Sequence, residues 1–138
     1  MGNYRELEVW QKSRQRATHV YRATIALLQN EWRGLTEQMR RAAISIPSNV
    51  AEGHGRWTSR ERINFLLIAR GSTYELETQA FIASDLELLT KEQATEIVRA
   101  ANHVAKILNG LIRRYRQNAT PSEKSTANCQ PSSANRSP

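Results

Sequence analysis

The amino-acid sequence predicts an all-α protein, an antiparallel up-down-up-down four-helix bundle. Apolar residues recur at alternating steps of three and four in several segments, and helix-capping pairs precede two of those segments. No segment shows the alternation of polar and apolar residues that is typical of a half-buried β-strand. The connections between the segments are short, as successive antiparallel helices require.

The chain of 138 residues has the length of one domain. We predict a bundle domain over residues 1–117 and a disordered tail over residues 118–138, because the tail is rich in Ser, Pro, Asn and Thr. No apolar run is long enough to span a membrane, and the N-terminus lacks the apolar core of a signal peptide. The single cysteine, Cys129, cannot form an internal disulfide, so we expect a cytoplasmic protein.

Helices one and four show the clearest seams. Thr90 and Gln93 predict a capping box for helix four, and its seam suits packing at a shallow angle. That seam contains Ile97, Ala101, Val104, Leu108, Leu111 and Tyr115. Helix one is predicted over residues 5–29, and Arg14 interrupts its seam of Leu7, Trp10, Ala17, Tyr21, Thr24 and Leu28.

Helix three, predicted over residues 59–88 and capped by Thr58 and Glu61, carries two apolar stripes. One contains Phe65, Ala69, Ser72, Leu76, Ala80 and Ala83, and the other contains Ile63, Leu66, Leu67, Tyr74, Phe81 and Ile82. A helix that is apolar over so much of its circumference is buried on more than one side. We therefore predict an oligomer in which another subunit covers the second stripe. The alternative is one broad stripe that serves a single intramolecular core.

Helix two lies in the segment Gly34 to Arg56, which has the sequence GLTEQMRRAAISIPSNVAEGHGR. Leu35 and Thr36 predict its start, and Met39, Ala42, Ala43, Ile46 and Val50 form one buried stripe with small residues at its centre. Pro47 lacks a backbone donor and predicts a kink. Gly53 and Gly55 are predicted to end the helix in a turn with positive φ.

Four motifs of this chain resemble those of the bacterial 23S rRNA intervening-sequence protein family. They are the Gly34–Arg56 segment, the N-terminal residues Tyr4, Leu7, Glu8, Val9, Trp10 and Gln11, the third-helix segment Phe65–Gln79, and the segment Leu108–Ile112. The resemblance covers about residues 3–116. The chain departs from the family pattern at His54, where an aromatic residue such as phenylalanine is expected.

The resemblance implies a ring-shaped homopentamer with a central channel and a non-enzymatic role without a cofactor. The family is also similar to the accessory variability protein of diversity-generating retroelements, whose members bind a reverse transcriptase and nucleic acid. The partners expected for this chain are therefore further copies of itself, RNA or DNA, and a reverse transcriptase, with no membrane.

The charge of the chain independently favours a polyanionic partner. The net charge is +7, and arginine supplies 16 of the 20 basic residues. Arg99, Lys106 and Arg113 recur every seven residues on helix four, so they predict a basic stripe that could meet phosphates. Further candidates are Arg114 and Arg116 on helix four and Lys12, Arg16 and Arg22 on helix one. The alternatives are a solvated bundle face or a scaffold whose basic face binds an acidic protein.

A second group of residues favours a structural role or a subunit contact. It contains Arg40, Arg41, Pro47, Asn49, Glu52, Gly53, Gly55, Arg70 and Glu75. We expect Arg40 and Arg41 to pair with Glu52, Glu75 or Glu77, with contact to nucleic acid or a partner as the alternative.

Catalytic and metal sites find little support in the sequence. Glu75 and Glu77 point in divergent directions on a helix, and His19, His54 and His103 lack metal-ligand spacing. Trp32 and Trp57 lie near loops, where they are open to stacking on bases.

Overall fold

The computed structural model describes residues 2–28 and 32–122, which fold into four long helices. These are α1 (Glu8–Ala23), α2 (Arg33–His54), α3 (Ser59–Asp85) and α4 (Lys91–Asn118). Each helix packs against its neighbours along the chain, and α4 closes the bundle against α1. The described residues contain no strand, and the predicted four-helix bundle is confirmed. Residues 123–138 of the predicted tail lie outside the described residues, as does Gln29 of predicted helix one.

The predicted capping boxes position α3 and α4. Thr58 Oγ1 accepts a hydrogen bond from the amide of Glu61 at 3.2 Å, and Thr90 Oγ1 accepts one from the amide of Gln93 at 3.1 Å. Both boxes are reciprocal, since the side chains of Glu61 and Gln93 accept from the backbone amides of the two threonines. The α4 seam is likewise confirmed, with Ile97, Ala101, Val104 and Leu108 buried in the core.

The predicted seam of helix one is correct at Ala17 and Thr24, which are buried, and is one residue late at Trp10 and Tyr21. The buried positions of α1 are Val9, Ser13, Ala17 and Val20, whereas Tyr21 is exposed and Trp10 is only half-buried. Ser13 tolerates burial because its hydroxyl donates a hydrogen bond to the Trp10 carbonyl at 3.1 Å. Arg14 therefore does not interrupt the seam but lies outside it, with its guanidinium over the Trp10 ring. The helix also ends early, at Ala23, and a 3-10 turn at Ile25–Leu27 follows.

Both predicted ends of helix two are also corrected. The helix begins at Arg33, so Thr36 lies inside it, buried, with no hydrogen-bond partner for its Oγ1 among the described residues. It continues through Gly53 to His54, and neither Gly53 nor Gly55 has a positive φ. Gly53 is needed for a different reason. A Cβ atom there would lie 2.9 Å from Phe65 Cβ and 3.3 Å from the Arg62 carbonyl oxygen, so the missing side chain allows α2 and α3 to approach.

A polar contact joins the middles of α2 and α3. Ser72 donates a hydrogen bond to Ser45 Oγ at 2.8 Å, and Asn49 Nδ2 donates to the carbonyl and hydroxyl oxygens of Ser45. Pro47 lies within this stretch of a continuous helix and cannot donate a bond to the preceding turn. Asn49 and the two serines therefore satisfy one another at the level of the proline.

The outer side of α3 is apolar and uncovered in the single chain. Its inner side buries Leu66, Ala69, Leu76, Ala80 and Ala83. The opposite side exposes Ile68, Tyr74, Phe81 and Ile82, which we call the outer α3 face together with Gly71 and Thr78. Of the predicted second stripe, Tyr74, Phe81 and Ile82 are exposed to about half of their surface. The assignment of its N-terminal half is wrong, because Leu66 is buried on the inner side and Ile63 and Leu67 pack against the core.

Candidate nucleic-acid interface

The basic stripe of α4 lies on the solvent side of the bundle. Arg99, Lys106 and Arg113 are all exposed, while the opposite side of the same helix forms the core. Seven residues span about 10.5 Å of helix, so the three cations extend over roughly 21 Å. We call these three residues the α4 comb.

The charges of the α4 comb have no ion-pair partner in the described part of the chain. Among residues 2–28 and 32–122, the ion pairs are Arg33 with Glu37 at 2.9 Å and His19 with Glu96 at 3.7 Å. Neither pair includes a residue of the comb. Arg114 and Arg116 are also exposed and extend the positive charge into the last turns of α4, where the helix dipole favours cations.

The basic residues of α1 do not form one face. Lys12 and Arg16 are half-buried, and Arg16 lies with His19 along the groove between α1 and α4, close to Ala100 and Ala101. Arg22 lies on another side of α1, in a shallow surface depression shared with Gln11, Arg14, Gln15 and Thr18. Of the predicted helix-one set, Arg16 thus lies on the α4 side and Arg22 on a separate surface.

Arg40 has a structural role, but its partners are not the carboxylates expected from the sequence. Its Nη2 donates a hydrogen bond to the Tyr21 carbonyl at 2.8 Å, and its Nε donates to Thr24 Oγ1 at 2.9 Å. The guanidinium also lies over the Tyr21 ring, 4.3 Å from its centroid. Arg40 therefore joins α2 to the C-terminal end of α1, where backbone carbonyls lack helical partners.

Replacement of Arg40 by lysine is expected to lower the free energy of unfolding by about 1–2 kcal/mol, because an ammonium cannot reproduce the planar two-point contact. The adjacent Arg41 is exposed and provides the control, since Arg41→Lys should change stability by less than about 0.5 kcal/mol. Urea unfolding of both variants measures the difference, and equal stabilities would contradict the assigned role.

The remaining expected ion pairs are absent from the described residues. Arg41, Glu52 and Glu75 are exposed and have no charged partner within 4.0 Å. Arg70 instead donates a hydrogen bond to Asn109 Oδ1 at 3.0 Å, which joins α3 to α4. Hydroxyl, carbonyl and amide oxygens thus satisfy the guanidinium groups of Arg40 and Arg70, so no carboxylate has to be buried beside them.

One end of the bundle contains contacts that the sequence did not predict. His54 Nε2 lies 2.6 Å from the Gly2 carbonyl oxygen, which ties the N-terminal segment to α2. Arg56 lies over the Phe65 ring at 4.6 Å, and Arg62 lies over the Tyr115 ring at 5.5 Å. Trp57, which lies between Arg56 and Arg62 in the sequence, is 86% exposed. The sequence feature that could have indicated these contacts is the proximity of arginine and aromatic residues around the α2–α3 turn.

Other site types find no support in the described part of the chain. No group of three or more His, Cys, Asp or Glu side chains there could hold a metal ion. No described helix has an 18-residue window apolar enough to cross a membrane.

Comparisons with known proteins identify relatives of the chain. A family model described as 23S rRNA-intervening sequence protein matches residues 5–110. No curated protein matches significantly. A crystal structure of a protein of unknown function from the S23 ribosomal protein family of Bacteroides thetaiotaomicron is similar, with a TM-score of 0.69 and 24% sequence identity. The alignment covers 75% of this chain and 97% of that one, and it shows a shared fold.

Proposed function

The chain belongs to the 23S rRNA-intervening sequence protein family, and we propose that it is a non-enzymatic adaptor that binds RNA or DNA electrostatically. The observation that carries this proposal is the α4 comb, three exposed cations at seven-residue spacing with no carboxylate partner among the described residues. Arginine and lysine arranged in this way bind phosphates without reading base sequence.

The adaptor is proposed to act as a homo-oligomer assembled through the outer α3 face. Large apolar side chains dominate this face, and Glu75 is the one charged residue adjoining its centre among the described residues. A surface that lacks charge and exposes aromatic and aliphatic groups favours burial against a second copy over contact with phosphates. The pentameric ring implied by the family resemblance would repeat the α4 comb around its circumference, and a reverse transcriptase is the proposed protein partner.

Reversal of the α4 comb in the triple variant R99E/K106E/R113E is expected to weaken RNA binding by at least about 10-fold, because three phosphate contacts are lost. The slope of log affinity against log salt concentration should fall by about 3 in magnitude. Fluorescence anisotropy with structured RNA from about 50 to 200 mM salt measures both quantities.

The control is R33E/R41E/K91E, which makes the same change in net charge at exposed positions outside the comb. Its affinity should fall less and its salt slope should change little. Equal losses in both triple variants would mean that net charge alone drives binding and that the comb is not the site. If the unmodified protein binds neither RNA nor DNA at low salt, the nucleic-acid proposal is wrong, and an acidic protein partner becomes the better hypothesis.

A further inference from the structure

Three segments meet at one end of the bundle, which we call the basic end. They are residues 2–8 at the N-terminus, residues 52–62 around the α2–α3 turn, and residues 113–118 at the C-terminal end of α4. The hydrogen bond between His54 and Gly2 joins the first two segments, and the contact of Arg62 with the Tyr115 ring joins the second to the third. The basic end is therefore one continuous surface of the folded chain.

The two ends of the bundle differ in charge. The basic end has seven arginines and four glutamates, namely Arg5, Arg56, Arg60, Arg62, Arg113, Arg114 and Arg116 against Glu6, Glu8, Glu52 and Glu61. The opposite end, residues 22–28, 32–38 and 85–92, has three cations and four carboxylates, namely Arg22, Arg33 and Lys91 against Glu37, Asp85, Glu87 and Glu92. An anion is therefore attracted to the basic end.

The guanidinium groups of the basic end are available for a ligand. None of its seven arginines belongs to an ion pair with a described carboxylate. The carboxylate of Glu61 is already engaged by the amide and hydroxyl of Thr58. Arg56 and Arg62 are held in place by the rings of Phe65 and Tyr115, and Arg62 also donates a hydrogen bond to the Arg56 carbonyl at 2.8 Å. Part of the positive charge is therefore ordered before any ligand binds, which reduces the entropy lost on binding.

Trp57 gives this surface a property that a charged patch alone lacks. Its side chain is 86% exposed, and among the described residues it has no ring or cation–π contact. The indole lies in the turn directly after Arg56 and three residues before Arg60, so an uncovered aromatic face is flanked along the chain by two arginines. Aromatic faces beside arginines are the elements with which proteins bind unpaired bases of single strands.

We propose that the basic end binds single-stranded nucleic acid, with Trp57 stacking on an unpaired base. Arg56, Arg60 and the arginines at the end of α4 meet the flanking phosphates. A double helix fits this surface less well, because its base faces are covered by their neighbours and are not open to an indole. This inference rests on the proposed nucleic-acid binding, and it adds the class of strand and the position of the base contact. Arg113 belongs to both surfaces, so a strand could continue from the comb onto the basic end.

The test uses the full-length protein and an oligouridylate of about 16 nucleotides, with an RNA duplex of the same length beside it. Trp57→Ala is expected to lower affinity for the oligouridylate by about 5- to 150-fold and to change affinity for the duplex by less than about 2-fold. Trp57→Phe should recover part of the loss, since phenylalanine keeps an aromatic face. Trp57 is almost fully exposed, so the fold should survive, and far-UV circular dichroism verifies this.

The matched control is Trp32→Ala, at the half-buried tryptophan of the opposite end, which should leave oligouridylate binding unchanged once far-UV circular dichroism verifies its fold. Equal affinity of Trp57→Ala and the unmodified protein for the oligouridylate would overturn the inference, even if reversal of the α4 comb still weakens binding. Failure of the unmodified protein to bind either RNA would instead overturn the proposed function itself. Binding to anionic vesicles that depends on Trp57, without binding to the oligouridylate, would also overturn the inference and assign the surface to a membrane.

Discussion

Phe81→Glu is expected to convert the proposed homo-oligomer into a folded monomer. Phe81 is 53% exposed in the last two turns of α3 and belongs to the outer α3 face. Burial of an unpaired carboxylate against a second copy costs several kcal/mol, so the dissociation constant of the assembly should rise by about 100-fold or more. Light scattering coupled to gel filtration at micromolar protein concentration measures the change in mass.

Ile25→Glu provides the control for Phe81→Glu. Ile25 is 62% exposed in the 3-10 turn after α1, so the same class of change is made on an apolar side chain outside the outer α3 face. This variant should keep the mass of the unmodified protein. An unmodified protein that is already monomeric would contradict the proposed assembly. If the Phe81→Glu protein kept the full oligomeric mass, assembly would have to use a different surface.

Gly53→Ala is expected to lower the free energy of unfolding by about 1–2 kcal/mol. Alanine is the better helix former by roughly 0.5–1 kcal/mol, so a position without crowding would be stabilised. At Gly53 the added Cβ would lie 2.9 Å from Phe65 Cβ, an atom attached to the α3 backbone that cannot rotate away. Relief of the contact requires α2 and α3 to separate, and overpacking of this kind costs about 1–3 kcal/mol.

Gly110→Ala is the control for Gly53→Ala. Gly110 lies within α4, and an added Cβ would meet nothing within 4 Å. The two substitutions should therefore have opposite signs in urea unfolding, with Gly110→Ala stabilising by up to about 1 kcal/mol. If both variants were stabilised, close approach of α2 and α3 would not be the reason for glycine at position 53.

The sequence predicted those elements whose signals are local. Thr58 with Glu61 and Thr90 with Gln93 form caps from residues three apart, and both were predicted correctly. The two stripes of α3 were also visible, because periodicity alone reveals a helix that is apolar on opposite sides. The α1 seam was misplaced at Trp10 and Tyr21 because Ser13, a residue type common on protein surfaces, is buried there with its hydroxyl bonded to a carbonyl of its own helix.

The details of the candidate site depend on contacts between distant segments. The helical spacing placed the α4 comb on one exposed face, whereas the bond from Arg40 to the Tyr21 carbonyl spans 19 positions and leaves no periodic signal. A glycine near the end of a helix suggests a turn, and only the position of Phe65 reveals that Gly53 serves close packing. The basic end combines the N-terminal segment, the α2–α3 turn and the last residues of α4, so it becomes apparent only when the chain is folded.

The contacts between α2 and α3 also have a consequence for variation of the chain. The hydroxyl pair of Ser45 and Ser72 and the close approach at Gly53 fix the axial position of one helix against the other at two levels, about 12 Å apart. Because packing between α2 and α3 determines this alignment, the short α2–α3 turn is not needed to fix it. The side chain of Trp57, which is 86% exposed, is consequently not required for the packing of the helical hairpin, so replacement of this one side chain should alter what the chain binds while keeping the hairpin intact.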